Sequence, residues 1–66
     1  MSVAKVIEIT ASSPTSFAEA AEAGIAKASE TVHGIKGAWI SEESLVVEND
    51  QVTEFRVTMR VSFVLD

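Results

Sequence analysis

The stretch Val52-Thr53-Glu54-Phe55-Arg56-Val57-Thr58-Met59-Arg60-Val61-Ser62-Phe63-Val64-Leu65 settles the fold class. Phe55, Val57, Met59, Val61, Phe63 and Leu65 fall on one parity, and Glu54, Arg56, Thr58, Arg60 and Ser62 on the other. A period of two sends successive side chains to opposite faces of a pleated strand, whereas a helix would scatter the same residues around its axis. The stretch therefore reads as a long strand with one apolar and one polar face.

Working upstream, Lys36 to Glu48 reads as another strand and Asn49-Asp50-Gln51 as a turn, so the two strands form an antiparallel hairpin. Strict alternation in this strand would group Trp39, Ser41, Glu43, Leu45 and Val47, mixing an acid with large apolar residues. A bulge near Glu42-Glu43 resets the phase, brings Ser44 to the Trp39 face and turns Leu45 and Val47 toward the helix.

That helix precedes the hairpin. Ser13 can cap it with Pro14 at the first helical position, where a missing N–H costs nothing. The competing cap is Ser16, with Glu19 completing a capping box. Pro14, already preset in φ, favours Ser13. Phe17, Ala21, Gly24, Ile25, Ala28 and Val32 form a narrow, small-sided apolar stripe, and Gly34 after His33 marks the stop. Val3 to Thr10 supplies the first strand, which Ala11-Ser12-Ser13 breaks. The order is β-α-β-β: an α+β fold in which a three-stranded antiparallel sheet packs on one helix, in a single domain spanning residues 1–66.

Size adds a demand for partners. A chain of 66 residues buries only about 60% of its unfolded surface, and such scaffolds usually need disulfides, metals or oligomerisation. There is no cysteine, which fits a reducing compartment. Strands of about 13 residues at about 3.3 Å each also outrun a helix of about 18 residues at about 1.5 Å each. Neighbouring copies are the economical cover for the remaining sheet. The net charge is −5, and the basic residues Lys5, Lys27, Lys36, Arg56 and Arg60 are scattered; no nucleic-acid footprint results. Met1-Ser2-Val3-Ala4-Lys5-Val6 has no secretory pattern and no run approaches a membrane span, so a soluble cytoplasmic protein without a membrane partner is expected.

Catalysis finds little support. The single histidine, His33, sits where a helix C-terminus favours it. There is no nucleophile–base ordering, and Gly24, Gly34 and Gly37 make no phosphate loop. Glu42, Glu43, Glu48 and Asp50 are candidate calcium or magnesium ligands by residue type, but their spacing matches no calcium loop. Trp39 carries more information. It is the only tryptophan, its phase points away from the core, and a large flat ring on a polar sheet face needs either a partner chain or a flat ligand. Arg56 shares that face and is expected within about three residues of Trp39 along the ladder, where an indole and a guanidinium could hold a planar heteroaromatic ring.

The sequence resembles the dodecins, on Lys5-Val6-Ile7-Glu8-Ile9, on Ser12-Ser13-Pro14-Thr15-Ser16-Phe17 with Ala20 and Ala21, on the lone Trp39, and on Phe55-Arg56-Val57 leading into Val61-Ser62-Phe63-Val64-Leu65. The resemblance implies a hollow homododecamer built from trimers that stores flavin without being an enzyme. Flavin pairs would stack between Trp39 residues of neighbouring subunits, with Arg56 and Ser44 as further contacts. It implies FMN or riboflavin as the ligand, with FAD fragments as further candidates; some members also hold coenzyme A. Others lack the tryptophan and are described as calcium-binding, which gives the alternative of a calcium-binding assembly module without tight flavin binding. Flavin-binding members often carry glutamine where Arg56 stands; arginine supplies donors only. The hairpin between Trp39 and Arg56 is also a couple of residues shorter than in some relatives.

Overall fold

The computed structural model describes residues 2–65, so the two ends of the expected domain, Met1 and Asp66, lie outside the described residues. Four elements follow one another: β1 (Val3–Ser13), α1 (Phe17–Ala28), β2 (Ile35–Glu48) and β3 (Gln51–Leu65). The sheet is antiparallel in the order β1-β3-β2, so the most clearly alternating strand lies in the centre. Its apolar parity forms the core: Val57 and Val61 are 0% and Met59 1% exposed.

β1 is longer than its sequence suggests. Ala11, Ser12 and Ser13 do not break it; they pair with Val57, Arg56 and Phe55. β3 offers a partner backbone along this whole length, and a paired ladder overrides the turn preference of two serines. That extension decides the helix start. Ser13 is still in the ladder, so the cap is Ser16, whose Oγ accepts from the Glu19 backbone N–H at 3.0 Å. Ser13 instead makes the bend itself, accepting from the Thr15 N–H at 3.0 Å and donating to Glu19 Oε2 at 3.4 Å.

α1 also ends early, at Ala28 rather than near His33. Ser29 Oγ donates to the Ala26 carbonyl at 2.7 Å, and the N–H groups of Glu30 and Thr31 take the shorter i−3 bonds. Side chains that bond nearby carbonyls compete with the helical ladder, and the β-branched Thr31-Val32 pair adds nothing to hold it. Gly34 then turns the chain at φ 78°, a conformation glycine adopts without steric cost.

α1 packs against β1 and β3. Ala20, Val57 and Met59 centre the core, joined by Ile9, Ala11, Phe17, Ala21 and Ile25. Phe17 and Phe55 meet edge to face with centroids 5.3 Å apart. β2 is left largely bare, and Ile40 and Leu45 are exposed although they pair with Met59 and Phe55 on the helix side.

The hairpin turn is Asn49-Asp50 alone, both residues left-handed at φ 51° and 63°. Gln51 pairs with Glu48 and belongs to β3. The register shifts between Ile35 and Gly37, between Ile40 and Glu42, and between Val46 and Val47. The ladder runs unbroken through Glu42, Glu43 and Ser44, so there is no bulge at Glu42-Glu43; the phase is reset instead by the second shift, between Ile40 and Glu42. Ser41 is the extra residue, and its Oγ donates to the Thr58 carbonyl at 3.1 Å.

Candidate functional site

The sheet face opposite α1 is a grid of rows, each crossing all three strands. One row is Val6, Ser62 and Gly37; the next is Glu8, Arg60 and Trp39. The third is Thr10, Thr58 and Glu42, and the fourth Ser12, Arg56 and Ser44. Antiparallel partners share a face, so the β3 alternation that buries Val57, Met59 and Val61 places Arg56, Thr58, Arg60 and Ser62 here.

Short bonds tie the grid together. Ser62 Oγ donates to the Gly37 carbonyl at 3.3 Å, and the Thr10 and Thr58 hydroxyls are 3.3 Å apart. Arg56 Nε donates to Ser12 Oγ at 3.1 Å. Arg60 Nε lies 3.8 Å from Glu8 Oε2. Trp39 is the single aromatic residue of this face and is 49% exposed.

Trp39 therefore faces outward, as its parity predicts, and Ser44 shares its face through the Ser41 bulge. The spacing to Arg56 differs from expectation. Trp39 lies opposite Arg60, while Arg56 lies opposite Ser44, four residues along β3. At about 3.3 Å per residue that is about 13 Å. Arg60 and Glu8 are the neighbours that sequence reasoning missed. Extending the ladder straight from the Glu48–Gln51 pair at the turn reaches Trp39 opposite Arg60 directly. The extra residue Thr53 on β3 and the extra residue Ser41 on β2 cancel.

Two hollows border the helix. One of about 460 Å³ separates Ala21, Ile25 and Ala26 of α1 from Ala38, Trp39 and Ile40 of β2, with Met59 at its floor. The other, about 520 Å³, lies between α1 and β1 along Ile7, Ile9, Ala11 and Gly24, away from Trp39. Both are mainly apolar; Lys27, Glu30 and Thr31 line part of the second, and Glu22 part of the first. Among the described residues no three His, Cys, Asp or Glu side chains come together as a metal site. His33 is exposed in the connection between α1 and β2. No described helix is long and apolar enough to cross a membrane.

These features define a small β-α-β-β protein whose open sheet carries one half-exposed indole on a flat polar face. The Dodecin family model matches residues 3–66, and the chain belongs to that family. It is 36% identical over 63 residues to the calcium dodecin of Mycobacterium tuberculosis, a match covering 96% of this chain and 89% of that protein. Among solved structures, a dodecin from Streptomyces davaonensis superposes with a TM-score of 0.95 at 31% identity, covering 98% of this chain and 96% of that one. The calcium-chelating antigen calcium dodecin of M. tuberculosis gives 0.86 at 33% identity, with coverage of 97% and 91%.

Proposed function

We propose that this chain is a non-enzymatic flavin-binding storage protein of the cytoplasm. It stacks the ring of FMN, riboflavin or a related flavin on Trp39 and quenches its photochemistry. The observation that carries this reading is the half-exposed indole standing alone on a polar sheet face of a dodecin fold. A tricyclic ring buries the indole face that water otherwise covers, and stacking adds roughly 0.5–1.5 kcal/mol beyond the area term. Arg56, about 13 Å along the face, and Ser44 opposite it supply polar contacts. With that separation they reach the ring's periphery, or a ring held by a neighbouring copy. Coenzyme A is a further candidate guest.

The working unit in this reading is a homododecamer. The bare helix side of β2, with Ile40 and Leu45 exposed, and the open edges of β1 and β2 support assembly, since large exposed apolar surface marks an interface. Neighbouring copies then bring indoles together as the walls of a slot.

A second reading, calcium binding, is favoured by one observation: the relative at 36% identity is a calcium dodecin. With no converging acids among the described residues of one chain, such a site has to combine groups from several copies. The purified protein separates the readings. Flavin storage gives a yellow protein, or one that strongly quenches added flavin. A calcium-centred assembly is colourless and melts at lower temperature with a chelator.

A further inference from the structure

Arg60 is the residue that the outer face sets against Trp39. It stands on the central strand with Glu8 of β1 on one side and Trp39 of β2 on the other, a single row across the sheet. Partners in such a row keep their Cβ atoms about 4.5–5.5 Å apart. A guest stacked on the indole therefore has the long Arg60 side chain beside it, within reach of an anionic substituent that lies along the face. That guanidinium is only loosely engaged: its Nε lies 3.8 Å from Glu8 Oε2, with side chains 54% and 60% exposed. The separation exceeds hydrogen-bond length, and an ion pair this exposed is weak and easily displaced. Arg56 differs, its Nε being engaged by Ser12 at 3.1 Å.

We propose that Arg60 is a specificity-determining residue of the Trp39 surface. It selects flavins bearing an anionic phosphate over neutral ones, and Glu8 acts as the carboxylate that moderates it. The inference rests on the flavin reading above and adds the ligand class. A guanidinium binds phosphate through paired, charge-assisted hydrogen bonds. Glu8 competes for the same guanidinium and repels the same anion, so removing either side chain pushes selectivity in opposite directions. In a chain of net charge −5, a cation beside the stacking surface offsets the repulsion an anionic guest would meet.

FMN and riboflavin share a ring and differ in the phosphate, so the ratio of their dissociation constants isolates the effect. Both are titrated by fluorescence quenching against wild type, Arg60→Gln, Arg60→Lys and Glu8→Gln, at low and high ionic strength. Wild type is expected to prefer FMN, less so as salt rises. Arg60→Gln lowers that preference about tenfold, Arg60→Lys retains most of it, and Glu8→Gln raises it about threefold. A merely structural arginine would weaken both flavins alike and leave the ratio unmoved. An unchanged ratio in Arg60→Gln and Glu8→Gln, with both flavins still bound, overturns the assignment. If wild type quenches neither flavin, the flavin reading and this inference fall together.

Discussion

Gly24 of α1 and Met59 of β3 meet so closely that a Cβ added to Gly24 would stand 2.7 Å from Met59 Cε and 3.0 Å from Ala11 Cβ. The Met59 methyl is the end of a flexible side chain and can swing aside, but Ala11 is fixed to the β1 backbone. Gly24→Ala thus gains roughly 0.5–1 kcal/mol of helix propensity and meets an overpacking cost of roughly 1–3 kcal/mol. The expected net effect is a loss of about 1 kcal/mol, read by denaturant unfolding at fixed protomer concentration. A stabilised variant would mean that α1 can lift off the sheet.

The helix start gives a second prediction. Ser16→Ala removes the side chain that caps the Glu19 N–H and should cost about 1 kcal/mol, whereas Ser16→Asp should be tolerated. Equal stability of Ser16→Ala and wild type would contradict the observed cap.

At the hairpin, Asp50 at φ 63° follows Asn49 at φ 51°, the geometry of a type I′ turn, in which Asn-Gly is the preferred pair. Asp50→Gly should raise stability by several tenths of a kcal/mol, and Asn49→Val should lower it by about 1–2 kcal/mol. Thermal melts of the two variants moving in the same direction would rule out this turn.

Which of these features could be read from residues alone follows from how local each one is. The β3 alternation is written into one continuous stretch, so the core parity, the outward Trp39 and the antiparallel hairpin were legible. The helix ends were not. Locally Pro14 favours Ser13 as the cap over Ser16, and only the pairing of Ser13 with Phe55, far along the chain, overturns that preference. The apolar spacing that carries the stripe on to Val32 persists after the helix has ended, because Val32 still lines the hollow beside α1. Arg56 and Arg60 share one parity of β3, so only the register tells them apart. Extending the ladder from the Asn49-Asp50 turn sets Trp39 opposite Arg60, with Arg56 four residues away, because the two bulges cancel.

Arg56→Gln exchanges a donor-only side chain for one that both donates and accepts, which suits a flavin edge presenting carbonyl oxygens and an N–H. Flavin affinity should hold or tighten in this variant. A loss beyond about tenfold, or about 1.4 kcal/mol, would show that the guanidinium held by Ser12 is indispensable.

The most direct test of the storage account is flavin titration of Trp39→Ala beside wild type, with the assembly size of each checked by light scattering. The account predicts an intact oligomer whose flavin affinity has fallen at least about tenfold. Superimposable quenching curves for the two proteins would contradict it.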